Sequence, residues 1–159
     1  MPARYERHYL RGMSESISTS SAPKPVGSYP HAKKVGDLLF LSGVGPRKAG
    51  SGNGDSVVPG LELNDKGEVV KFDFEAQVHS VFANVKAVLD ASESSWDELV
   101  DVTVFLVNME RDFKTFNRIY AEYFPGDSEN RPCRTTVEIN CLPTPIAIEL
   151  KCISTVKNS

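Results

Sequence analysis

Arg134 and Glu149 stand in one stretch, CRTTVEINCLPTPIAIELK from Cys133 to Lys151, and each carries a group suited to work on a small acid. A planar guanidinium clamps a carboxylate through two parallel N–H···O bonds, an orientation that a lysine ammonium does not impose. A carboxyl group whose pKa is raised by a partly apolar cleft can take a proton from water and give one to a departing group. Taken alone, each residue also reads as an ordinary exposed charge, Arg134 on the surface and Glu149 on the polar side of an edge strand. An ion pair between Arg134 and Glu138 is ruled out, because four residues of strand span about 13 Å.

The residues around this pair alternate. Thr135, Val137 and Ile139 share one face, with Arg134, Thr136, Glu138 and Asn140 on the other; Ile146, Ile148, Leu150 and Cys152 likewise oppose Ala147, Glu149 and Lys151. Pro143 and Pro145 cannot donate to a ladder, so the chain must leave the sheet between Asn140 and Ile146 and turn. Two half-buried strands joined by a proline-pinned turn make Arg134 and Glu149 candidates for one site.

The 159 residues are enough for one domain with its own core, and 40% hydrophobic with 25% charged residues is ordinary globular usage. A net charge of -3 offers no footprint for nucleic acid, and no apolar run reaches the roughly 20 residues of a membrane span. Cys133, Cys141 and Cys152 are odd in number and lack CxxC spacing, and His8, His31 and His79 are scattered, so no metal site is drawn. Reduced thiols in a cytoplasmic protein are the simplest reading. Residues 1–21, with Arg4, Arg7 and Arg11 ahead of the run SESISTSS, are expected to form a disordered extension. They contain no apolar signal core, Glu6 and Glu15 disfavour a transit peptide, and Met13 is an alternative start. A single domain is expected over 22–159.

Within that domain Gly36 and Asp37 suggest a hairpin, with Leu38 to Ser42 as its second strand. Arg47 to Gly60 reads as a long loop, of the kind that is usually functional or disordered. From Asp73 to Ala91, Val78, Val81, Phe82, Val85, Val88 and Leu89 recur at helical spacing, with Asp73 as N-cap. SSWDEL is a turn, Val100 to Val107 a strand, and Asp112 to Phe124 a second helix stopped by Pro125 and Gly126. The order strand, strand, helix, strand, helix, strand, strand predicts an α+β fold, with helices on one face of a mixed sheet. The other face then needs a cover, which another subunit would supply.

Four blocks, PKPVGSYPHAKKVGDLLFLSG, FEAQVHSVFANVKAVL, VDVTVFLVNMERDFKTFNRIYAEYF and CRTTVEINCLPTPIAIELKCIS, resemble in order those of the RidA (YjgF) family and cover nearly all of 22–154. The resemblance implies a chorismate-mutase-like α+β fold assembled as a trimer, with sites in clefts between subunits. It also implies deamination of an enamine or imine without a cofactor. The details GVGPRKAGSG, SSWDELVDVTVFLVNM, CRTTVE and LPTPIAIELKCI are most similar to the 2-aminomuconate deaminase branch, which releases ammonia to leave a 2-oxo acid in aromatic-compound degradation.

On this resemblance Arg134 binds the carboxylate beside the imine carbon and Glu149 holds or activates the hydrolytic water. Tyr29 and Gly43 line the same cleft, and Phe116 and Asn117 are offered across the subunit boundary. Phe116 fits a plain core position as well. Thr136 stands where relatives often carry a cysteine, which separates this chain from the general pattern. A substrate with two carboxylates needs a second cation: Arg47 is favoured, with Lys48, His31 and Lys33 as alternatives that also read as solvated charges. Two rivals remain open, a general deaminase of 2-imino acids and a non-catalytic protein that binds a carboxylate metabolite. The acidic net charge disfavours a role on RNA. A trimer and a hexamer of two trimers are both compatible with the sequence.

Overall fold

The structure, a computed structural model, describes residues 14–50 and 57–157. Eight strands and two helices follow in the order β1 (Ser14–Ile17), β2 (Ala32–Val35), β3 (Leu38–Leu41), β4 (Leu61–Leu63), β5 (Val69–Phe72), α1 (Phe74–Asp90), β6 (Leu99–Leu106), α2 (Met109–Tyr123), β7 (Cys133–Glu138) and β8 (Ile148–Thr155). Six strands form one mixed sheet in the order β1-β2-β3-β8-β6-β7, and β4 pairs with β5 as a separate hairpin. The β6–β7 pair is parallel, with α2 in the crossover between them, while the remaining pairs are antiparallel.

Alternation sets which side of the sheet is covered. Leu39 and Leu41 of β3, Val102, Val104 and Leu106 of β6, and Ile148, Leu150 and Cys152 of β8 join one core with Val78, Val81, Phe82, Val85 and Leu89 of α1 and Phe116 and Ile119 of α2. The α+β fold with both helices on one face is therefore as expected. The opposite face carries Leu38 and Phe40, 41% and 37% exposed.

Local chemistry starts and stops the helices. The Asp73 carboxylate accepts from the Ala76 N–H at 3.0 Å, and the Asn108 side chain accepts from the Arg111 N–H at 2.9 Å. Helix α2 consequently begins at Met109, three residues before the expected Asp112. Glu138, excluded as a partner for Arg134, instead accepts from the Met109 N–H at 2.5 Å. Pro125 follows the helix, and Gly126 adopts φ +93°.

Two departures concern the N-terminal half. Of the expected disordered segment 1–21, residues 1–13 lie outside the described residues, but Ser14–Ile17 form edge strand β1 on β2. Ile17 packs against the core there, and Ala22 is buried in it. The β4–β5 hairpin was not anticipated, because β5 is exposed at all four positions and so lacks an apolar alternation. Residues 51–56 of the expected long loop also lie outside the described residues. Among the described residues no helix is long and apolar enough to cross a membrane.

Candidate functional site

The strands that carry Arg134 and Glu149 are not neighbours. Strand β6 runs between them, with Arg134 opposite Val102 and Glu149 opposite Phe105. Directly paired residues project to the same face. Val102 is 1% exposed beneath the helices, whereas Phe105 alternates away from that core. Arg134 thus lies on the helix side and Glu149 on the open side. The turn joining the two strands therefore does not bring the pair together within one chain, because the sheet itself separates them.

Glu149 sits in a cleft with Tyr29, Gly43 and Arg47. The cleft is built by a short bridge in which the Val44 N–H donates to the Leu150 carbonyl at 2.8 Å and the Leu150 N–H donates back at 2.9 Å. That bridge seats Gly43 against the glutamate: a Cβ built on Gly43 would stand 2.8 Å from the Glu149 carboxyl carbon. The glycine therefore leaves the room that the carboxyl group occupies. Burial pushes the Glu149 pKa up from the ordinary carboxylate range, and the Arg47 charge acts in the opposite sense.

Helix α1 fixes the rim. The Ser80 hydroxyl donates to the Pro46 carbonyl at 2.7 Å, and the Asn84 amide donates to the carbonyls of Gly45 and Arg47 at 2.9 and 2.8 Å. On the far side the Gln77 side-chain oxygen accepts from the Ala147 N–H at 2.8 Å, which anchors the segment entering β8. Gln77 and Asn84 were not anticipated as supports. The available signal was a pair of amides on the apolar stripe of α1, where an unpartnered polar group is costly.

The remaining candidates gather on the helix side. The Arg134 guanidinium lies 4.6 Å from the Tyr120 ring centre and 5.6 Å from that of Phe116. It lines a second cleft with Asn117, Tyr120 and Arg131. Phe116 is wholly buried, as its core reading required, and meets the arginine through its ring face. Thr136 pairs with Val104 on the same side, and its hydroxyl is buried without a hydrogen-bond partner.

Among the alternative second cations, Arg47 reaches the Glu149 cleft, its guanidinium also donating to the Lys24 carbonyl at 2.8 Å. Lys33 and Lys48 are exposed. His31 borders the cleft, but its Nδ1 accepts from the Thr19 N–H at 3.2 Å while Nε2 faces the Pro23 carbonyl at 3.0 Å. Both ring nitrogens thus clamp the N-terminal segment, a structural task. Among the described residues no group of three or more His, Cys, Asp or Glu side chains is arranged to hold a metal ion.

The mixed sheet with two helices on one face matches solved structures of the RidA (YjgF) fold. The crystal structure of the yjgF gene product of Escherichia coli matches with a TM-score of 0.71 at 28% identity, covering 90% of this chain and 99% of that one. TdcF of Escherichia coli, solved with bound serine, matches with a TM-score of 0.72 at 26% identity over 90% and 99% of the two chains. The model of the Endoribonuclease L-PSP family matches residues 19–156. A RutC family protein of Pyrococcus horikoshii is 38% identical over 143 residues, 89% of this chain and 98% of that protein. The chloroplastic Reactive Intermediate Deaminase A of Arabidopsis thaliana is 36% identical over 142 residues, 89% of this chain and 66% of that protein. The chain belongs to the RidA (YjgF) family, the one described as Endoribonuclease L-PSP.

Proposed function

We propose that the protein is a hydrolytic deaminase of enamine or imine carboxylates, acting in clefts where the Glu149 side of one subunit meets the Arg134 side of the next. The observation that carries this reading is the division of the candidates into two complementary halves. One cleft holds a proton-transfer group, Glu149, with Tyr29, Gly43 and Arg47; the other holds a carboxylate clamp, Arg134, beside Asn117. Neither half suffices for the chemistry. A second copy against the open sheet face would also cover Leu38 and Phe40, and a closed ring of three copies repeats that contact without a free end.

In such a cleft Arg134 holds the carboxylate at C1, and the enamine tautomerises to the imine. Glu149, as the carboxylate, takes a proton from water while the water oxygen bonds to C2 and passes that proton to the imine nitrogen, giving a neutral carbinolamine. The carboxylate then takes the carbinolamine hydroxyl proton and delivers it to nitrogen as the C2–N bond breaks and the C2=O bond forms, so ammonia leaves behind a 2-oxo acid. One water is consumed per ammonia released, and the glutamate ends in its starting state. A carboxyl group held above its ordinary pKa suits both directions of transfer. The relative named Reactive Intermediate Deaminase A supports the reaction class, and the serine bound in TdcF supports a site for a carboxylate next to a nitrogen-bearing carbon.

The finer reading is 2-aminomuconate as substrate, giving the unsaturated 2-oxo diacid. The rival substrates are 2-imino acids with a single carboxylate, which the name of the Arabidopsis relative favours. Ammonia release from enzymatically generated 2-aminomuconate and from 2-iminobutanoate separates the two. Preference for the former supports the finer reading and preference for the latter replaces it. Release from neither removes the deaminase and leaves a protein that binds carboxylates.

A further inference from the structure

The cleft around Arg134 contains more positive charge and more unused donors than one carboxylate requires. Arg131, three residues earlier in the loop that enters β7, lines the same cleft. Its guanidinium donates to the Gly126 carbonyl at 2.8 Å, while among the described residues its buried Nε has no hydrogen-bond partner. Tyr120 lines the cleft with both arginines; it is 5% exposed, with a buried hydroxyl that also lacks a partner. Burial raises the pKa of that hydroxyl, and the charges of Arg134 and Arg131 both oppose the rise, so both guanidinium groups act on the same oxygen.

These groups have unused capacity of one kind. A guanidinium only donates, and a tyrosine hydroxyl beside two cations is best used as a donor. A buried donor without an acceptor costs about 1 to 3 kcal/mol, so two of them in one cleft call for oxygens that the folded chain does not supply. One carboxylate held bidentately by Arg134 occupies two N–H groups of that guanidinium and leaves Arg131 and Tyr120 unsatisfied. We infer that Arg131 and the Tyr120 hydroxyl form a subsite for a second anionic group, so that the protein selects ligands with two carboxylates over those with one. This rests on the proposed reading of Arg134 as the clamp for the first carboxylate. It differs from the sequence-based preference for Arg47, which lies in the other cleft and bears on the Glu149 carboxyl instead. Arg131 and Tyr120 are thus specificity determinants: they need not touch the reacting carbon.

A matched pair of unreactive ligands tests the subsite directly. Hexa-2,4-dienedioate (muconate) and hexa-2,4-dienoate (sorbate) differ by one carboxylate and carry no nitrogen to be released. Calorimetric titration of the full chain should show muconate bound about tenfold or more tightly than sorbate. Arg131→Met should close that gap while leaving sorbate within about twofold of its original affinity, and Arg134→Met should weaken both. Tyr120→Phe, a change that removes only the hydroxyl, should narrow the gap and keeps the test available should the Arg131 variant misfold. Circular dichroism and urea midpoints identify any such failure. The inference is overturned if the wild type binds the two ligands equally or binds neither. It is also overturned if the gap survives in folded Arg131→Met and Tyr120→Phe proteins. Because no deamination is measured, a protein that prefers muconate but releases no ammonia would retain the subsite and lose only the deaminase reading.

Discussion

Gly43 and Glu149 compete for one volume: a Cβ on the glycine would fall 2.8 Å from the carboxyl carbon of the glutamate and still closer to its Oε1. The obstructed atoms are the far end of a flexible side chain, so Gly43→Ala can fold by swinging the carboxyl group aside. Its unfolding midpoint should stay near wild type. Turnover should nevertheless fall by about 10² to 10⁴, the range for losing a positioned proton-transfer group. Urea titration and ammonia release on the same preparation check the split. A variant that keeps full activity would show that the observed carboxyl position is not the working one.

Arg134 and Glu149 emerge on opposite sides of the same sheet, with β6 between their strands. If the working cleft lies between subunits, two inactive proteins can repair one another. Arg134→Ala and Glu149→Gln should each be nearly inactive alone. Random co-assembly of equal amounts should restore about one quarter of the cleft sites, since a cleft needs the intact arginine from one neighbour and the intact glutamate from the other. Activity after joint refolding, compared with each variant refolded alone, reads this out. No recovery in verified mixed oligomers would place both residues of a working site in one chain.

The sequence disclosed whichever parts of this arrangement repeat at short period. Apolar spacing marked α1, and strict alternation marked β6 and β8, because those elements bury one side and expose the other. Strand β5 escaped because it is exposed throughout, and β1 because only Ser14 and Ile17 of its four residues are partly covered. For the site, alternation assigns faces within a strand but not between strands. Whether Arg134 and Glu149 share a side depends on β6 pairing with both β7 and β8, a long-range choice that no local pattern contains. The family resemblance set Phe116 and Asn117 across a subunit boundary from the other cleft members, whereas the structure groups them with Arg134 in one chain, apart from Glu149. Arg131 and Tyr120 were invisible because each has an ordinary local role, in a loop and on an apolar helix stripe.

Arg47 should set the pH at which Glu149 works. Burial holds the glutamate above the ordinary carboxylate range and the Arg47 charge restrains that rise. Removing the charge in Arg47→Met should therefore move the acidic limb of the kcat/KM profile to higher pH, with the alkaline limb unchanged. An acidic limb that stays in place would separate the arginine from the carboxyl group functionally.

The same raised value makes Glu149 a stability liability near neutrality. The folded chain holds the proton to higher pH than the unfolded chain does. The stabilisation this provides is complete in acid, below the ordinary glutamate pKa, and is lost as pH rises through the folded value. Glu149→Gln, which remains neutral throughout, should match the wild type in acid and exceed it in stability at pH 7. Urea unfolding at the two pH values measures the difference. Equal stability at both would mean that the carboxylate is solvated as well in the folded protein as in the unfolded chain.

Asn84 ties the rim of the Glu149 cleft to α1 through one amide nitrogen shared between the Gly45 and Arg47 carbonyls. Asn84 is buried, so truncation leaves both carbonyls short of a donor in a place water enters poorly. Asn84→Ala should lose about 1 to 3 kcal/mol of stability, the cost of a buried group left unsatisfied. It should also disturb activity, because Arg47 would no longer be held beside Glu149. The two effects differ in their reach: Asn84→Ala combined with Arg47→Met should add fully in stability, yet lower kcat/KM little further than the worse single variant. A double variant whose losses in kcat/KM multiply would show that the asparagine acts on the site by some route other than the arginine.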